Sequence, residues 1–325
     1  MPVYNHARFV KRAVESALAQ PETGEVILID DGSTDDSLSV CAALASRKDK
    51  VRLLLHPDGK NHGAGPTRNI GIVNARFDYI AFLDADDFFL ENRFQEPLDT
   101  LANAPDIDGV YECIGTYFES EQDSERYCRV RNMTLPALTT MHRRVEPEAL
   151  FGELVAGGIG WFHGDGLLVR RALFDRTGLF DSHLRIAQDT AMYLRMAAVG
   201  RLVPGRLDVP VAMRGVHEKN RILAALESGH EHQKYYILAL HAVLRWSIVH
   251  RQPDSRIRLL LWTLVHARVC RGFPVLSRGG QGLVRMAALS RTVIQHPTLL
   301  TRSWFWEHSL DRVRSIFRGI RMSGK

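Results

Sequence analysis

Two apolar runs in this chain stop abruptly in aspartates. Tyr79-Ile80-Ala81-Phe82-Leu83 runs into Asp84-Ala85-Asp86-Asp87, and Glu25-Val26-Ile27-Leu28-Ile29 runs into Asp30-Asp31-Gly32-Ser33-Thr34-Asp35. Each run is too short for a helix and fits a buried strand. Open α/β sheets bind ligands outside the carboxyl ends of their strands. Asp84, Asp86 and Asp87 are therefore expected at the mouth of a crevice. Carboxylates that close repel one another unless something positive joins them. A hard divalent cation, held by one or two carboxylates together with phosphate oxygens, meets that need. Either segment alone is equally well a strand followed by a solvated acidic turn. Two strands delivering carboxylates to one edge point to a nucleotide and metal crevice.

The pattern around these runs alternates strands with helices. Phe9, Val10, Ala13, Val14, Ala17 and Leu18 make a helical apolar face. The spacing predicts strands over 25–30, 51–55 and 79–83, with helices between them, the first capped by Thr34 or Asp35. Such alternation implies a right-handed parallel α/β sheet. A helix over 92–103 and a single strand over 110–118 follow. Residues 119–147 are polar and poorly periodic and read as a long surface excursion. Further on come a strand at 167–169, a short helix within 173–180, a helix over 190–198 and a last strand over 209–213. Beyond residue 221 the pattern is helical almost throughout, which divides the chain into 1–221 and a helical region 222–325.

Composition narrows the class. With 325 residues, 45% hydrophobic and 24% charged, the chain is neither disordered nor fibrous. No apolar run reaches the ~18 residues of a membrane span, and no signal-peptide core is present. Cys41, Cys113, Cys128 and Cys270 are scattered without a CxxC pair, so neither a zinc site nor a disulfide framework is expected, and a reducing cytosol fits. Residues 226–325 carry 16 Lys and Arg against 5 Asp and Glu, a balance of +11, whereas residues 1–225 stand at −6. That basic region suggests an anionic membrane surface as partner, with Trp246, Trp262, Trp304, Phe305 and Trp306 as interfacial anchors. A solvated basic face explains it equally. No nucleic-acid motif accompanies it, so nucleic acid is not expected as a partner.

Four blocks in order give the chain a resemblance: Pro2-Val3-Tyr4-Asn5, Asp30-Asp31-Gly32-Ser33-Thr34-Asp35, Thr67-Arg68-Asn69-Ile70-Gly71 and Leu83-Asp84-Ala85-Asp86-Asp87. The chain is similar, over about residues 1–217, to family 2 glycosyltransferases of the GT-A type. The resemblance implies a GT-A-like nucleotide-binding sheet sandwiched by helices, with the region after residue 221 as a C-terminal helical appendage. It implies that Pro2, Tyr4, Asp31, Arg68, Asp84 and Ala85 bind the nucleotide. Tyr4 would stack on a uracil ring and Asp31 would accept a hydrogen bond from it. Asp86 would contact Mn2+ or Mg2+, and His217 resembles a late histidine that completes the metal or diphosphate site. The residues themselves leave alternatives open. Tyr4 also suits a packed core, Arg68 a surface ion pair, and His217 a polar position after a strand. The family's apolar first strand runs directly into the Pro-x-Tyr-Asn block, whereas here Met1 precedes Pro2, so a strand N-terminal to this chain is expected.

The resemblance also supplies a base. Ala187-Gln188-Asp189-Thr190 matches the family's acidic pair at the start of a helix, with Gln188 in place of the first acid and Asp189 as base. Helix capping is the alternative role for Asp189. Asp165 is a weaker candidate for acceptor contact, and Trp161 and His163 could line the acceptor pocket. The implied activity is an inverting, non-processive transfer of a hexosyl or N-acetylhexosaminyl group from a nucleotide sugar, UDP-linked, to a glycan or lipid-linked acceptor. Cell-wall or surface polysaccharide synthesis is the setting, in the cytoplasm and peripheral on the inner face of the membrane. A processive synthase would carry Gln-x-x-Arg-Trp, and Ala242 stands at the glutamine position before Arg245-Trp246. Rival functions are a nucleotidyltransferase, which needs a basic glycine-rich loop where Asn5-His6-Ala7-Arg8 stands, and a non-catalytic nucleotide- or glycan-binding module.

Overall fold

The computed structural model describes residues 1–131, 137–218, 220, 231–272, 278–303 and 305. The chain divides into two compact units, Met1–Glu231 and His232–Lys325.

In the first unit, β1 (Pro2–Val3), β2 (Val26–Asp30) and β3 (Val51–Leu55) form a parallel sheet in the order β1-β2-β3. The register runs from Val26 opposite Val51 to Asp30 opposite Leu55, and sets Val3 beside Asp30. Parallel pairing gathers the carboxyl ends of these strands at one edge. The amphipathic helix α1 (Val10–Leu18) buries Val10, Ala13, Val14 and Ala17. These side chains join Val3, Leu28, Leu83, Leu101, Val110 and Leu168 in one core. A fully buried leucine such as Leu28 contributes ~1.5–3 kcal/mol relative to exposure. Helices α2 (Ser37–Arg47) and α3 (Ala64–Asn74) fall where the periodicity puts them. The cap differs from expectation: Asp36 holds the N-cap position of α2 without a side-chain bond, while Asp35 accepts from the Ser37 amide at 2.9 Å.

The expected all-parallel sheet is replaced by a mixed arrangement. Strands β4 (Tyr79–Ala81), β6 (Gly109–Tyr111), β8 (Leu167–Arg170) and β9 (Leu202–Pro204) form a second sheet, order β4-β8-β6-β9, in which β8 runs antiparallel to both its neighbours. The short 3-10 turn Gly164–Gly166 starts β8 from the site edge, so the strand has to run away from it. A third sheet sets β5 (Phe88–Phe89), β10 (Ala212–Val216) and β7 (Gly115–Phe118) in the order β5-β10-β7.

The single strand expected over 110–118 is broken into β6 and β7. Between them Glu112 turns into a fully buried ion pair with Arg93 at 2.8 Å and also accepts from Arg206 Nε at 3.1 Å. The excursion over 119–147 contains a helix, α4 aside (Gln95–Asn103): α5 spans Glu121–Arg131. It is followed by α6 (Pro147–Ala156), which buries Leu150, Phe151, Leu154 and Val155. Helices α7 (Leu173–Thr177) and α8 (Gln188–Val199) complete this unit's described helices.

Between β2 and β4 lies an apolar groove of about 420 Å³, walled by Val26, Ile27 and Ile29 on one side and Tyr79, Ile80 and Ala81 on the other. In the second unit, helices span Glu231–Val249, Asp254–Gly272 and Arg278–Gln295. Among the expected interfacial anchors, Trp246 and Phe305 are buried, while Trp304 and Trp306 lie outside the described residues. The division expected near residue 221 also lies outside them. No described helix is long and apolar enough to cross a membrane.

Candidate active site

The carboxyl ends of β1 and β2 are stapled together by side chains of the two turns. Asn5 adopts a left-handed conformation, φ 56°, which asparagine tolerates better than most residues. Its Oδ1 accepts from the Thr34 amide at 2.8 Å, and its own amide donates to Ser33 Oγ at 3.1 Å. Asp30 Oδ2 folds back to accept from the amides of Gly32 and Ser33. Gly32 sits at φ 72°, and a Cβ there would meet the Asn61 nitrogen at 2.8 Å, so only glycine fits. Tyr4 follows β1 and is 43% exposed at this edge, rather than packed in the core. Pro2 is half-buried, opposite Ile29.

Asp31 is buried and held by the loop before α3. Its carboxylate accepts from the amides of His62 (2.7 Å) and Gly63 (2.8 Å) and from Asn61 Nδ2 (2.9 Å). His56 Nε2 lies 3.2 Å away. Burial lowers the pKa of His56 even against the pull of Asp31. Asp31 thus fixes the 61–63 loop over the turn at the end of β2.

The three motif aspartates point in three directions. Asp84 Oδ1 accepts from Arg68 Nη2 at 2.5 Å, and the Arg68 guanidinium also lies over the Phe180 ring. Burial alone would raise the Asp84 pKa, but the Arg68 and His163 charges and the hydrogen bond bring it down to about 2. Asp86 Oδ2 lies 3.2 Å from His217 Nε2. Asp87 does not face the crevice mouth as expected from the sequence. It is 3% exposed, accepts from the Gly215 amide at 2.7 Å, and pairs with Asp165. Burial, with the neighbouring carboxylates, drives the Asp87 pKa upward; burial and the Asp84 charge lift that of Asp165 to about 7, against a lowering by Asp87 and Arg68. Asp165 Oδ2 is buried without a hydrogen-bond partner among the described residues, with His163 Nδ1 3.4 Å away. The Ala85 side chain lies in the core at 1% exposure, so it offers a nucleotide nothing but its backbone.

Register delivers these groups to one place. β8 is antiparallel to β4, with Ala81 opposite Leu168, so the turn carrying Asp165 returns to Asp84, whose amide donates to Asp165 Oδ1 at 3.3 Å. β10 ends at Val216 and hands His217 to Asp86. A Cβ on Gly215 would lie 2.3 Å from the Asp86 carbonyl oxygen, so glycine is needed where β10 passes the motif. Helix α8 begins directly after Ala187, which is left-handed at φ 62°, and puts Asp189 in the first turn. Asp189 Oδ1 accepts from the Thr190 amide at 2.7 Å. The start of α8 packs on the start of α3, where a Cβ on Gly65 would meet Gln188 Cγ at 3.1 Å, and, against burial, the Asp84 and Asp189 charges raise the pKa of Arg68. Trp161 stacks against Phe162, whose buried ring contacts Tyr111 and Tyr193.

Two groups of side chains could hold a cation among the described residues: Asp84, Asp87 and His163, and His6, Asp86 and His217. In the first, Asp84 is committed to Arg68 and Asp87 to Gly215 and Asp165. In the second, Asp86 Oδ2 and His217 Nε2 are bonded only to each other among the described residues, and His6 Nδ1 has no hydrogen-bond partner there. His6, which the structure groups with Asp86 and His217, is not among the site residues expected from the sequence, although it directly follows the Pro-x-Tyr-Asn block.

A family model described as glycosyl transferase family 2 matches residues 1–176. The succinoglycan biosynthesis protein ExoU of Rhizobium meliloti is 34% identical over 198 residues, covering 60% of this chain and 55% of that protein. The glycosyltransferase GlyG of Streptococcus pneumoniae is 35% identical over 128 residues, covering 39% of this chain and 40% of that protein. The chain spans about half the length of the first of these relatives. Among solved structures, S. aureus TarS 1-349 in complex with UDP-GlcNAc superposes at a TM-score of 0.55 and 17% identity, covering 99% of this chain and 90% of the other. The mannosyltransferase PcManGT of Pyrobaculum calidifontis, in complex with GDP-Man and Mn2+, gives 0.52 and 16%, covering 100% and 86%. The fold is that of the GT-A glycosyltransferases. A family match over more than half of its length, on a sheet edge that gathers Tyr4, Arg68, Asp84, Asp86 and Asp189, makes this chain a member of glycosyltransferase family 2.

Proposed function

We propose that this chain moves a single hexosyl or N-acetylhexosaminyl group from a UDP-linked donor to a hydroxyl of a glycan or lipid-linked acceptor, with inversion. The observation that supports the reading is that the first turn of α8, which carries Asp189, packs on the start of α3, whose Arg68 holds Asp84 in the motif that also carries Asp86. UDP-GlcNAc bound to TarS, and GDP-Man with Mn2+ bound to PcManGT, support a nucleotide-sugar site on this fold.

The reaction is one displacement. The acceptor oxygen bonds to the anomeric carbon, the bond from that carbon to the diphosphate breaks, and the acceptor proton passes to Asp189. Asp189 lies in the first turn of α8, and as general base it has to come within hydrogen-bond reach of the acceptor hydroxyl. Tyr4 offers a ring face to the base, and Asp31 shapes the same pocket through the 61–63 loop. Pro2 and Ala85 contribute backbone to the nucleotide side. Arg68 holds Asp84 ionised and stands ready to exchange that partner for a phosphate oxygen. Asp86 and His217 would hold Mn2+ or Mg2+, which supplies charge stabilisation of the leaving diphosphate.

The test is UDP release from a panel of UDP-sugars, with and without Mn2+ and with candidate glycan or lipid-linked acceptors. Acceptor-dependent release from one donor supports the reading; release of pyrophosphate from a nucleoside triphosphate replaces it with a nucleotidyltransferase. The basic region after residue 221 is proposed to bring the enzyme to the cytoplasmic membrane face. Sedimentation with anionic vesicles, weakening as salt rises, is the expected result; equal binding to neutral vesicles contradicts it.

A further inference from the structure

We infer that His6 is a third ligand of the cation site, and that the His6–Asp86–His217 set selects a first-row transition metal over Mg2+. The inference rests on the reading that Asp86 and His217 bind the cation, and deepens it by naming a residue and a metal class.

The ligand atoms of the three residues all lie within 4.8 Å of one another. Ligands on one side of a cation at ~2.1 Å stand ~3.0–3.4 Å apart, so closing the site shortens the widest of these separations by up to about 1–2 Å, within reach of side-chain rotation. The rings are already held. His217 is 3% exposed and packs its face on Phe9, centroids 4.6 Å apart. His6 sits edge-on to both Phe9 and His217, and its amide donates to Ser37 Oγ at 2.8 Å. His6 Nδ1 is buried with no hydrogen-bond partner. A buried ring nitrogen left without a partner costs free energy, and a cation beside Asp86 would satisfy it. Arg12, whose guanidinium donates to the Asp86 carbonyl oxygen, has its charge taken by Glu119 at 2.6 Å and so does not neutralise the Asp86 carboxylate.

The donor set then decides the metal. Mg2+ demands near-octahedral oxygen ligation and gives up its waters reluctantly, whereas imidazole suits Fe, Ni, Cu and Zn, and affinity for a nitrogen-bearing site rises along the first row from Mn2+ through Co2+. Two imidazoles and one carboxylate on one side of a cation leave positions open for phosphate oxygens. A site of Asp86 and His217 alone, by contrast, would be tolerant of Mg2+.

The experiment is direct binding of MnCl2, CoCl2 and MgCl2 to the full chain, followed by titration calorimetry and by the Mn2+ electron paramagnetic signal, in wild type, His6→Gln, His217→Ala and Asp86→Asn. Melting temperatures without metal control for folding, and His6→Gln keeps a polar side chain of similar reach. Wild type is expected to prefer Mn2+ and Co2+ over Mg2+. His6→Gln is expected to weaken Mn2+ and Co2+ by at least about tenfold, since even partners behind a ligand are worth ~10–100-fold. Mg2+ affinity should change little, so the preference collapses. If Asp86→Asn and His217→Ala abolish Mn2+ binding while His6→Gln leaves it unchanged, the His6 assignment is overturned and the cation reading stands. If Asp86→Asn leaves Mn2+ binding unchanged, both fall.

Discussion

Arg68 and Asp84 form the tightest charge pair of the crevice, Nη2 to Oδ1 at 2.5 Å, and it is this pair that holds a half-buried carboxylate ionised. The two residues come from separate elements, α3 and the segment after β4, so the pair also ties the first sheet's helix to the second sheet.

Arg68→Ala should therefore cost stability as well as nucleotide binding. It strands a carboxylate whose side chain keeps 31% exposure, so water offsets part of the loss and about 2 kcal/mol is expected. The sign with pH follows from a folded pKa of about 2 against ~3.9 unfolded. Stability from the pair is present above pH ~4 and is lost as pH falls toward 2. Urea melts at pH 3 and pH 6 check this. A variant as stable as wild type at pH 6 contradicts it.

Asp165 behaves in the opposite sense. Its folded pKa of about 7 lies above ~3.9 unfolded, so the folded state holds a proton that the unfolded state has lost. Stability is full below pH ~4 and declines as pH rises through 7. Asp165→Asn cannot ionise and can donate its amide to Asp87. Relative to this variant, wild type should lose on the order of 2 kcal/mol between pH 4 and pH 8. Parallel melting curves for the two proteins over that range would show that no proton is shared there.

The groove between β2 and β4 is apolar and open. A chain extended ahead of Met1 by about five strand-forming apolar residues should bury that surface. At ~25 cal/mol per Å² even 100 Å² contributes ~2.5 kcal/mol, enough to raise Tm by several degrees. A polar extension of equal length serves as control; equal Tm for both contradicts the expectation.

Much of the crevice was legible because its residues sit where strands end. The runs at 25–30 and 51–55 differ by a residue or less from β2 and β3, and the structure pairs Arg68 with Asp84 and His217 with Asp86. What escaped depends on partners far away in the chain. Glu112 breaks the strand expected over 110–118 because Arg93 and Arg206 are waiting for it. The antiparallel run of β8 is invisible to periodicity, which carries no direction. Asp87 looked like Asp84 and Asp86 until Gly215 and Asp165 closed around it. Helix α6 had a start signal in Pro147, but its buried residues lie beyond the polar stretch that precedes it.

The central claim is that Asp189 takes the acceptor proton in a glycosyl transfer. The most direct measurement is single-turnover sugar transfer by wild type and Asp189→Asn, with nucleotide affinity measured beside it. The account predicts a fall in rate of ~10²–10⁴ with nucleotide affinity within about threefold of wild type. A normal rate with affinity weakened about tenfold would make Asp189 a binding or capping residue and contradict the account.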